Sequence, residues 1–332
     1  MKKLLVIQTA FIGDVVLATA VVEKLSAYFP NDQIDFLVRK GNESLLANNP
    51  HITNVLIWNK KEHKTKNLFA ITEQIRKVKY DVVINLQRFF STGFITAFSA
   101  GKTTIGFNKN PLSFLFTKKV PHIISNTFPY RHEVERNNDL IKDFTDDILT
   151  KPKLYPSAND FASVEQYTKN HFVTMTPSSV WFTKKYPFEK WIDLINNFPK
   201  QYTIYLLGGK ENTAECENIQ SKAINKNMVI LSGKLSFLQS AALMKSAAMN
   251  YVNDSAPLHF ASAMNAPVTA IFCSTVPAFG FTPLSDQSFT VETTETLSCR
   301  PCSLHGKREC PLKHFKCGFG ITTNQLLQTL PA

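Results

Sequence analysis

The stretch that decides the fold is residues 4–28, LLVIQTAFIGDVVLATAVVEKLSAY. Leu4–Gln8 is a short apolar run, and Val15–Tyr28 carries apolar residues at helical spacing, with Gly13 and Asp14 between them. The basic residues at the N-terminus and a later triplet of small residues resemble a secretory signal peptide. Polar residues between them, however, interrupt the apolar core that a signal peptide requires. A buried strand that turns directly into a helix is therefore predicted, which is the opening half of a βαβ unit.

The same alternation continues along both halves of the chain. Further strands are predicted at Ile34–Val38, Val55–Trp58, Asp81–Leu86, Phe172–Thr176, Thr203–Leu207, Met228–Leu231, Asn250–Val252 and Val268–Cys273. Further helices are predicted at Leu68–Val78, Arg131–Asp146, Phe188–Asn197, Thr213–Ile224, Phe237–Ser246 and from Pro257 onward. Strands that alternate with helices indicate parallel sheets in an α/β protein.

The chain has 332 residues, which suits two hydrophobic cores better than one. Thr150–Asn159 (TKPKLYPSAN) has two prolines and little periodicity, so it is predicted to be a linker. The expected architecture is two Rossmann-like parallel-sheet domains, residues 1–150 and 160–332. Because ligands bind at the carboxyl ends of such strands, the two domains are expected to face a central cleft.

The composition excludes several classes of protein. A hydrophobic content of 44% and a charged content of 19% are typical of a soluble globular protein, and no apolar run is long enough to span a bilayer. No G-x-G-x-x-G or G-x-S-x-G is present. Gly101-Lys102-Thr103 lacks the first glycine of a P-loop, and His132-Glu133 lacks the second histidine of a zinc protease helix.

The net charge is +11, and no acidic residue lies between Asp81 and Glu133. This segment would suit an anionic lipid or a lipid-linked sugar, and no nucleic-acid-binding motif accompanies it. The alternative is a helix pair with its phenylalanines in the core and its lysines solvated. The basic residues are Arg88, Lys102, Lys109, Lys118, Lys119 and Arg131, interleaved with Phe89, Phe90, Phe94, Phe98, Phe107, Phe114, Phe116 and Phe128.

Three segments that follow strands carry groups suited to chemistry. Gln8–Asp14 (QTAFIGD) places Asp14 near a helix start, as a general base or as an ordinary first-turn carboxylate. Thr176–Pro187 (TPSSVWFTKKYP) offers hydroxyls and lysines to a diphosphate, or is a solvated loop. Asn253–His259 (NDSAPLH) begins a helix whose positive end would suit a phosphate, or is simply a capped helix with a core histidine.

Together these segments resemble glycosyltransferase family 9, which contains the heptosyltransferases of lipopolysaccharide synthesis in bacteria, and the resemblance covers essentially the whole chain. The family's P-G-A-S-W-x-x-K-x-W-P segment, its G-G-x-E and its N-D-[ST]-G-x-x-H are all recognisable. Ser178, Val180 and Tyr186 depart from the first motif, and Ala256 replaces the glycine of the last. The matching residues are Gly13, Asp14, Pro177, Trp181, Lys184, Pro187, Gly208, Gly209, Glu211, Asn253, Asp254, Ser255 and His259.

The resemblance implies a GT-B fold and a cytoplasmic, inverting transferase that needs no metal or other cofactor. ADP-heptose is the expected donor, and Asp14 and Lys184 are the expected catalytic residues. Glu211 would contact the ribose, and the backbone near Leu235 the base. The remaining donor-binding residues are expected to be Gly13, Ser178, Ser179, Asp254, Ser255, Ala256 and His259.

The expected acceptor is a lipid-anchored acidic saccharide of the lipopolysaccharide inner core, reached by peripheral contact with the inner membrane. The N-terminal domain would bind this acceptor, and the C-terminal domain the nucleotide sugar. His132–Arg136 (HEVER) resembles the family's helix after the acceptor region. The acceptor-binding residues are predicted to be Arg88, Lys102, Arg131 and His132.

Four cysteines near the C-terminus have the spacing C-x2-C-x7-C-x6-C, with His305 and His314 among them. This spacing could hold a structural zinc ion, but ordinary reduced thiols are the favoured interpretation. The cysteines concerned are Cys299, Cys302, Cys310 and Cys317.

Three alternatives to a heptosyltransferase remain open. The same fold could move another sugar from another nucleotide, or epimerise a nucleotide sugar. It could also serve as a non-catalytic binding protein.

Overall fold

The structure, a computed structural model, describes residues 1–124 and 130–331. The chain forms two compact units. The first comprises Met1–Ile124 and Arg131–Tyr155, and the second runs from Pro156 onward.

The first unit is a six-stranded parallel sheet with the strand order β3-β2-β1-β4-β5-β6. Its strands are β1 (Lys3–Ile7), β2 (Gln33–Arg39), β3 (Asn54–Trp58), β4 (Val82–Asn85), β5 (Thr103–Phe107) and β6 (Lys118–Val120). Its helices are α1 (Ile12–Tyr28), α2 (Lys64–Val78), α3 (Phe90–Phe98) and α4 (Glu133–Asn138).

The central strand of this sheet explains why the opening stretch is so apolar. Helices cover both faces of a parallel sheet, so the strand cannot alternate between apolar and polar residues. Leu5 and Ile7 of β1 are fully buried against Leu37, Trp58 and Ile75. Burial of each such side chain stabilises the fold by about 1.5–3 kcal/mol.

The second unit repeats the plan with the strand order β12-β11-β10-β7-β8-β9, again entirely parallel. Its strands are β7 (Phe172–Thr176), β8 (Thr203–Leu206), β9 (Met228–Ile230), β10 (Asn250–Asn253), β11 (Val268–Phe272) and β12 (Ser288–Glu292). Its helices are α5 (Ala158–Val164), α6 (Phe188–Asn197), α7 (Thr213–Lys222), α8 (Phe237–Lys245), α9 (Ala256–Met264), α10 (Lys316–Phe319) and α11 (Thr323–Leu327).

The C-terminal segment closes the core of the second unit. Ile321 and Leu326 are buried in the same cluster as Trp191. Tyr186 donates a hydrogen bond to the Ile321 carbonyl at 3.2 Å, and Tyr251 donates one to the Leu326 carbonyl at 3.3 Å. These bonds satisfy two buried phenol groups, whose desolvation would otherwise be costly.

The predicted α/β class is confirmed, with two departures in local structure. The helix predicted at Arg131–Asp146 is wrong, because α4 ends at Asn138 and only a short 3₁₀ turn follows at Lys142–Phe144. The Asn138 side chain instead donates to the Asp146 carbonyl at 2.9 Å, and such side-chain bonds compete with a helical backbone.

The sequence also missed the helices α3, α5, α10 and α11 and the strands β5, β6 and β12. The α3 sequence FSTGFITAF is rich in β-branched, aromatic and glycine residues, which have low helix propensity. β6 has only three residues, two of them lysines, so its apolar signal is weak. None of the helices within 1–124 and 130–331 is long and apolar enough to cross a bilayer.

Candidate functional site

Both sheets have one position where the strand order reverses direction. In the first unit it lies between β1 and β4, and in the second between β7 and β10. The loops that leave the carboxyl ends of two such strands diverge to opposite faces of the sheet, which opens a crevice for ligands.

Asp14 lies at the first of these positions, as the third residue of α1 and directly after Gly13. Its carboxylate accepts a hydrogen bond from the Phe11 amide at 3.1 Å and remains partly exposed. The helix N-terminus favours its ionised form. Burial lowers the pKa of the neighbouring Arg39, and the charge of Asp14 opposes that shift, so the two side chains are electrostatic partners.

Loops from three other strands hold the segment that precedes Asp14. Thr9 donates to the Gln87 side chain at 2.7 Å, which connects the loops after β1 and β4. Asn42, after β2, donates to the Ala10 carbonyl at 3.1 Å. Lys60, after β3, donates to the Thr9 carbonyl at 2.8 Å. The backbone leading to Asp14 is thus fixed from three sides.

Lys60 is a residue that the sequence analysis missed. Its ammonium group lies 4.6 Å from the ring centroid of Trp58. Burial, followed by the charges of Arg39 and Lys64, lowers its pKa to about 8. The cluster of lysines after β3 was the available signal, but only the fold places Lys60 at the edge that carries Asp14.

The four predicted acceptor residues do not gather in one place. Arg88 follows β4 at the same sheet edge as Asp14 and is partly buried. Lys102 precedes β5 and pairs with Asp81 at 2.7 Å, so it lies at the opposite, amino-terminal edge. The structure therefore does not bring Lys102 to Asp14, because a residue before a parallel strand starts on the other side of the sheet.

Arg131 and His132 have structural bonds at the start of α4. Arg131 makes two hydrogen bonds to the Asp139 carboxylate, at 2.6 and 3.0 Å, and these bonds raise the pKa of Arg131. Nδ1 of the buried His132 accepts a bond from the Val134 amide at 3.1 Å and so caps the helix. Phe128, from the predicted aromatic segment, lies outside the described residues.

Lys184 and Asp254 meet at the strand-order reversal of the second unit. The Lys184 ammonium lies 2.6 Å from the Asp254 carboxylate, which also accepts a bond from the Thr275 hydroxyl at 2.6 Å. Asp254 is buried, and little of Lys184 is exposed. The two residues were predicted separately, and the structure joins them into one pair.

Asn253 holds the loop that contains Ser178 and Ser179. Its amide group donates to the Pro177 carbonyl at 2.8 Å and to the Ser178 carbonyl at 3.3 Å. Its oxygen accepts from the Tyr186 amide at 2.9 Å. The sequence identified Asn253 as a motif residue, and the structure shows that it connects β10 to the lysine loop.

Glu211 and Leu235 follow the neighbouring strands β8 and β9. A Cβ atom on Gly209 would collide with the Glu211 carboxylate, so only glycine leaves room for that side chain beside the turn. Gly233 has a positive φ of 73°, and a Cβ there would meet the Lys210 backbone at 2.8 Å. The sequence LSGKLS between β9 and α8 thus packs closely against the Gly209 turn, with Leu235 two residues beyond Gly233.

The N-terminus of α9 lies beside the Lys184–Asp254 pair in the chain. Ser255 precedes the helix, Ala256 is its first residue, and a proline occupies the first turn. Ala256 is partly exposed, whereas His259 is buried and faces Phe281 with ring centroids 6.5 Å apart. The added methyl of Ala256 is therefore accommodated in the helix start.

The cysteine-rich segment near the C-terminus packs against the loop that carries Lys184. The Lys307 amide donates to the Thr183 hydroxyl at 2.8 Å, and the Thr183 amide donates to the Lys307 carbonyl at 3.1 Å. A Cβ atom on Gly306, whose φ is 82°, would lie 2.8 Å from Cγ of Lys184. Cys299 lies 3.9 Å from His314, but no group of three metal-ligating side chains is assembled in the described ranges.

Known proteins resemble this chain over most of its length. The model of glycosyltransferase family 9 (heptosyltransferase) matches residues 68–315. Lipopolysaccharide heptosyltransferase 3 of Escherichia coli is 26% identical over 283 residues, which cover 80% of this chain and 82% of that protein.

Two solved structures share the fold. The structure of the glycosyl transferase family 9 protein from Veillonella parvula has a TM-score of 0.82 at 19% identity. The superposition covers 99% of this chain and 95% of the Veillonella chain. ADP-heptose lps heptosyltransferase II of E. coli has a TM-score of 0.81 at 18% identity, with coverage of 99% and 97%. The predicted GT-B fold class is confirmed by these likenesses.

Proposed function

The chain belongs to glycosyltransferase family 9, the heptosyltransferase family, and on this basis we propose that it transfers a heptose from ADP-heptose to a hydroxyl of the lipopolysaccharide inner core. The reaction inverts the anomeric carbon. The observation that carries the proposal is the Lys184–Asp254 pair at the strand-order reversal of the second unit, next to the start of α9. The donor named for the E. coli relative supports the choice of ADP-heptose.

Asp14 is the proposed catalytic base. An acceptor hydroxyl must lose its proton as it attacks the anomeric carbon, and a carboxylate within hydrogen-bond reach can accept that proton. Asp14 lies in the first turn of α1, where the helix dipole favours a negatively charged side chain. Three loops fix the backbone before Asp14, which limits the reorganisation needed during the reaction.

Lys184 is proposed to stabilise the leaving diphosphate. A lysine ammonium group has three donors, and its bond to Asp254 orients the group while other donors can reach the diphosphate. The N-terminus of α9, with Ser255 and Ala256, adds positive potential for the same oxygens. This charge is the reason for proposing a reaction without a catalytic metal.

The nucleoside would lie along the neighbouring loops of the second unit. Glu211 would accept hydrogen bonds from the ribose hydroxyls, and the backbone near Leu235 would meet the base. Glu211 follows β8, which pairs with β7, and Leu235 follows β9, the next strand along, so both lie at the same sheet edge as Lys184. His259 and the serines at 178 and 179 would complete the donor site.

The first unit is proposed to bind a lipid-anchored acidic saccharide, at the cytoplasmic face of the inner membrane. Lys60, Arg39 and Arg88 are cationic side chains at the sheet edge that carries Asp14, and carboxylate or phosphate groups are their natural partners. Arg131 and His132 would act indirectly, by fixing the start of α4. Lys102 has no role in this proposal.

The test is a transfer assay with purified protein, ADP-heptose and a lipid-anchored core acceptor. Release of ADP with a product of inverted anomeric configuration is expected, at a rate that EDTA leaves unchanged. In a thermal-shift panel of ADP, UDP, GDP and CMP, ADP is expected to give the largest stabilisation. At about 100 times its Kd it should raise the free energy of unfolding by about 2.7 kcal/mol. Preference for UDP, or sugar epimerisation without an acceptor, would contradict the proposal.

A further inference from the structure

The first unit exposes a set of large aromatic side chains that the proposed reaction does not use. Phe89 and Phe114 are 64% and 69% exposed, and Phe69, Phe90 and Phe98 are also exposed. Single exposed apolar residues are ordinary, but contiguous exposed apolar patches mark interaction sites. These residues form one surface only if the elements that carry them are in contact.

Contacts between the elements connect these residues. On α3, Phe90, Phe94 and Phe98 follow a spacing of four, which aligns them along one side of the helix. The Phe94 ring lies 4.6 Å from that of Phe98 and 5.4 Å from that of Phe69 on α2.

The loop after β5 extends the same surface. Asn110 donates to the Phe89 carbonyl at 3.0 Å, which attaches this loop to the start of α3. The 3₁₀ turn Ser113–Leu115 packs against α3 and presents Phe114 and Leu115 to solvent. We call this surface the aromatic face, and its residues are Phe69, Phe89, Phe90, Phe94, Phe98, Phe114 and Leu115.

The segment of the chain that carries the aromatic face is strongly basic. Residues 59–132 contain thirteen Lys and Arg but only three acidic residues. Two of those acids are already paired, Glu73 with Lys77 and Asp81 with Lys102, each at 2.7 Å. Arg76 donates to the Phe98 carbonyl at 3.4 Å, so a guanidinium lies at the end of the aromatic row.

We propose that the aromatic face docks on an anionic phospholipid bilayer. Its phenylalanines would lie at the headgroup level, and the lysines and arginines of the same segment would lie against the lipid phosphates. Aromatic rings favour the membrane interface, and clustered basic residues are attracted to its negative charge. A second copy of the chain would bring two basic surfaces together and is disfavoured by repulsion. The inference rests on the proposed function only in that a lipid-anchored acceptor requires the enzyme at a membrane.

Cosedimentation of the full chain with vesicles tests the proposal. Binding to phosphatidylethanolamine–phosphatidylglycerol vesicles is expected, with at least tenfold weaker binding to phosphatidylcholine vesicles and at raised salt. The double variant Phe89→Ser/Phe114→Ser should bind at least tenfold more weakly. The matched control is Phe289→Ser, an exposed phenylalanine of the second unit, which should bind like the parent.

Substitutions that change charge test the electrostatic part of the proposal independently. Lys66→Glu, at an exposed position of α2, should weaken vesicle binding several-fold, whereas Lys200→Glu in the second unit should have little effect. Equal binding of the parent and the double phenylalanine variant would overturn the proposal. Absence of binding between the parent and anionic vesicles would also overturn it. So would a dimeric parent and a monomeric double variant on size exclusion, because the aromatic face would then be an interface between copies of the chain.

Transfer assays separate this inference from the proposed function. The double phenylalanine variant should transfer to a delipidated, water-soluble acceptor at the parental rate and should lose transfer to the acceptor in vesicles. If neither protein transfers sugar but the vesicle binding differs as expected, the proposed function fails and the docking surface stands. If both transfer equally in vesicles and bind them equally, the docking surface fails alone.

Discussion

The two units have the same strand order but opposite chemistry where that order reverses. In the first unit, α1 begins at Ile12, soon after β1 ends at Ile7, and its first turn delivers the carboxylate of Asp14. In the second unit, β7 ends at Thr176 and α6 begins only at Phe188, and the longer loop delivers the ammonium of Lys184. Topology thus decides where a ligand can bind, and loop length decides which group meets it.

The two sites also differ in how their charges are held. Asp14 is partly exposed and bonded to a backbone amide, whereas Lys184 is largely enclosed and paired with a buried aspartate. A proton acceptor must meet its substrate directly, whereas a charge that stabilises a leaving group acts best when it is preorganised. The substitutions below test this division of roles.

The largest effect is expected from Asp14→Asn. The amide cannot accept the acceptor's proton, so kcat should fall by about 10²–10⁴-fold. Binding of ADP, measured by thermal shift, should be unchanged, because the proposed donor site lies in the second unit. Parental turnover in this variant would remove Asp14 from the mechanism.

The next effect in size is expected from Lys184→Met. Loss of the ammonium should lower kcat by about 10²–10³-fold, a typical cost of removing one charge-stabilising donor. The matched control is Lys185→Met, because Lys185 pairs instead with Glu215 at 2.9 Å. A similar loss of kcat in both variants would indicate a general structural effect instead of a role in the leaving-group step.

A smaller effect is expected from Gly306→Ala. The new methyl would meet Lys184 and Trp181, at 2.8 and 3.0 Å, in a backbone conformation that disfavours alanine. Unfolding free energy should fall by about 1–3 kcal/mol, and kcat should fall with it.

Gly41→Ala is the control for this substitution, since Gly41 also has a positive φ but no atom within 4 Å of the added methyl. It should lower stability alone and leave kcat unchanged. A fall in kcat of equal size in both glycine variants would show that Lys184 is not displaced by contact with the methyl.

The smallest effect concerns the pH dependence at Lys60. Its pKa of about 8 means that the ammonium is charged at pH 7 and neutral by pH 9. The KM for an anionic acceptor should therefore rise several-fold over this range, and Lys60→Arg should remove the rise. A flat pH profile in the parent would exclude Lys60 from acceptor binding.

The same pKa has a consequence for stability. The unfolded chain keeps this proton up to about pH 10.5, so between about pH 8 and 10.5 the unfolded state binds more protons than the folded state. Stability relative to Lys60→Met should therefore increase with pH in that window. Denaturant unfolding at pH 7.5 and 10 would measure the difference, and a decrease would contradict the lowered pKa.

The sequence alone determined the fold class and most of the buried strands. Short apolar runs without alternation, such as Leu4–Ile7, are typical of strands in the middle of a covered parallel sheet, so their assignment needed only the local pattern. Short or weakly apolar elements such as β6 and α3 escaped, because their structure depends on the neighbours that they pack against. The motif residues that mark the family were also visible in the sequence.

Only the tertiary structure decided which charges meet. Lys184 and Asp254 are 70 positions apart in the chain, and their pairing follows from the adjacency of β7 and β10. Lys102 was excluded from the Asp14 edge, and Lys60 was brought to it, because a residue's position before or after a parallel strand selects the edge where it lies. Sequence pattern fixes burial residue by residue, whereas electrostatic partnership depends on strand order, which is a property of the whole sheet.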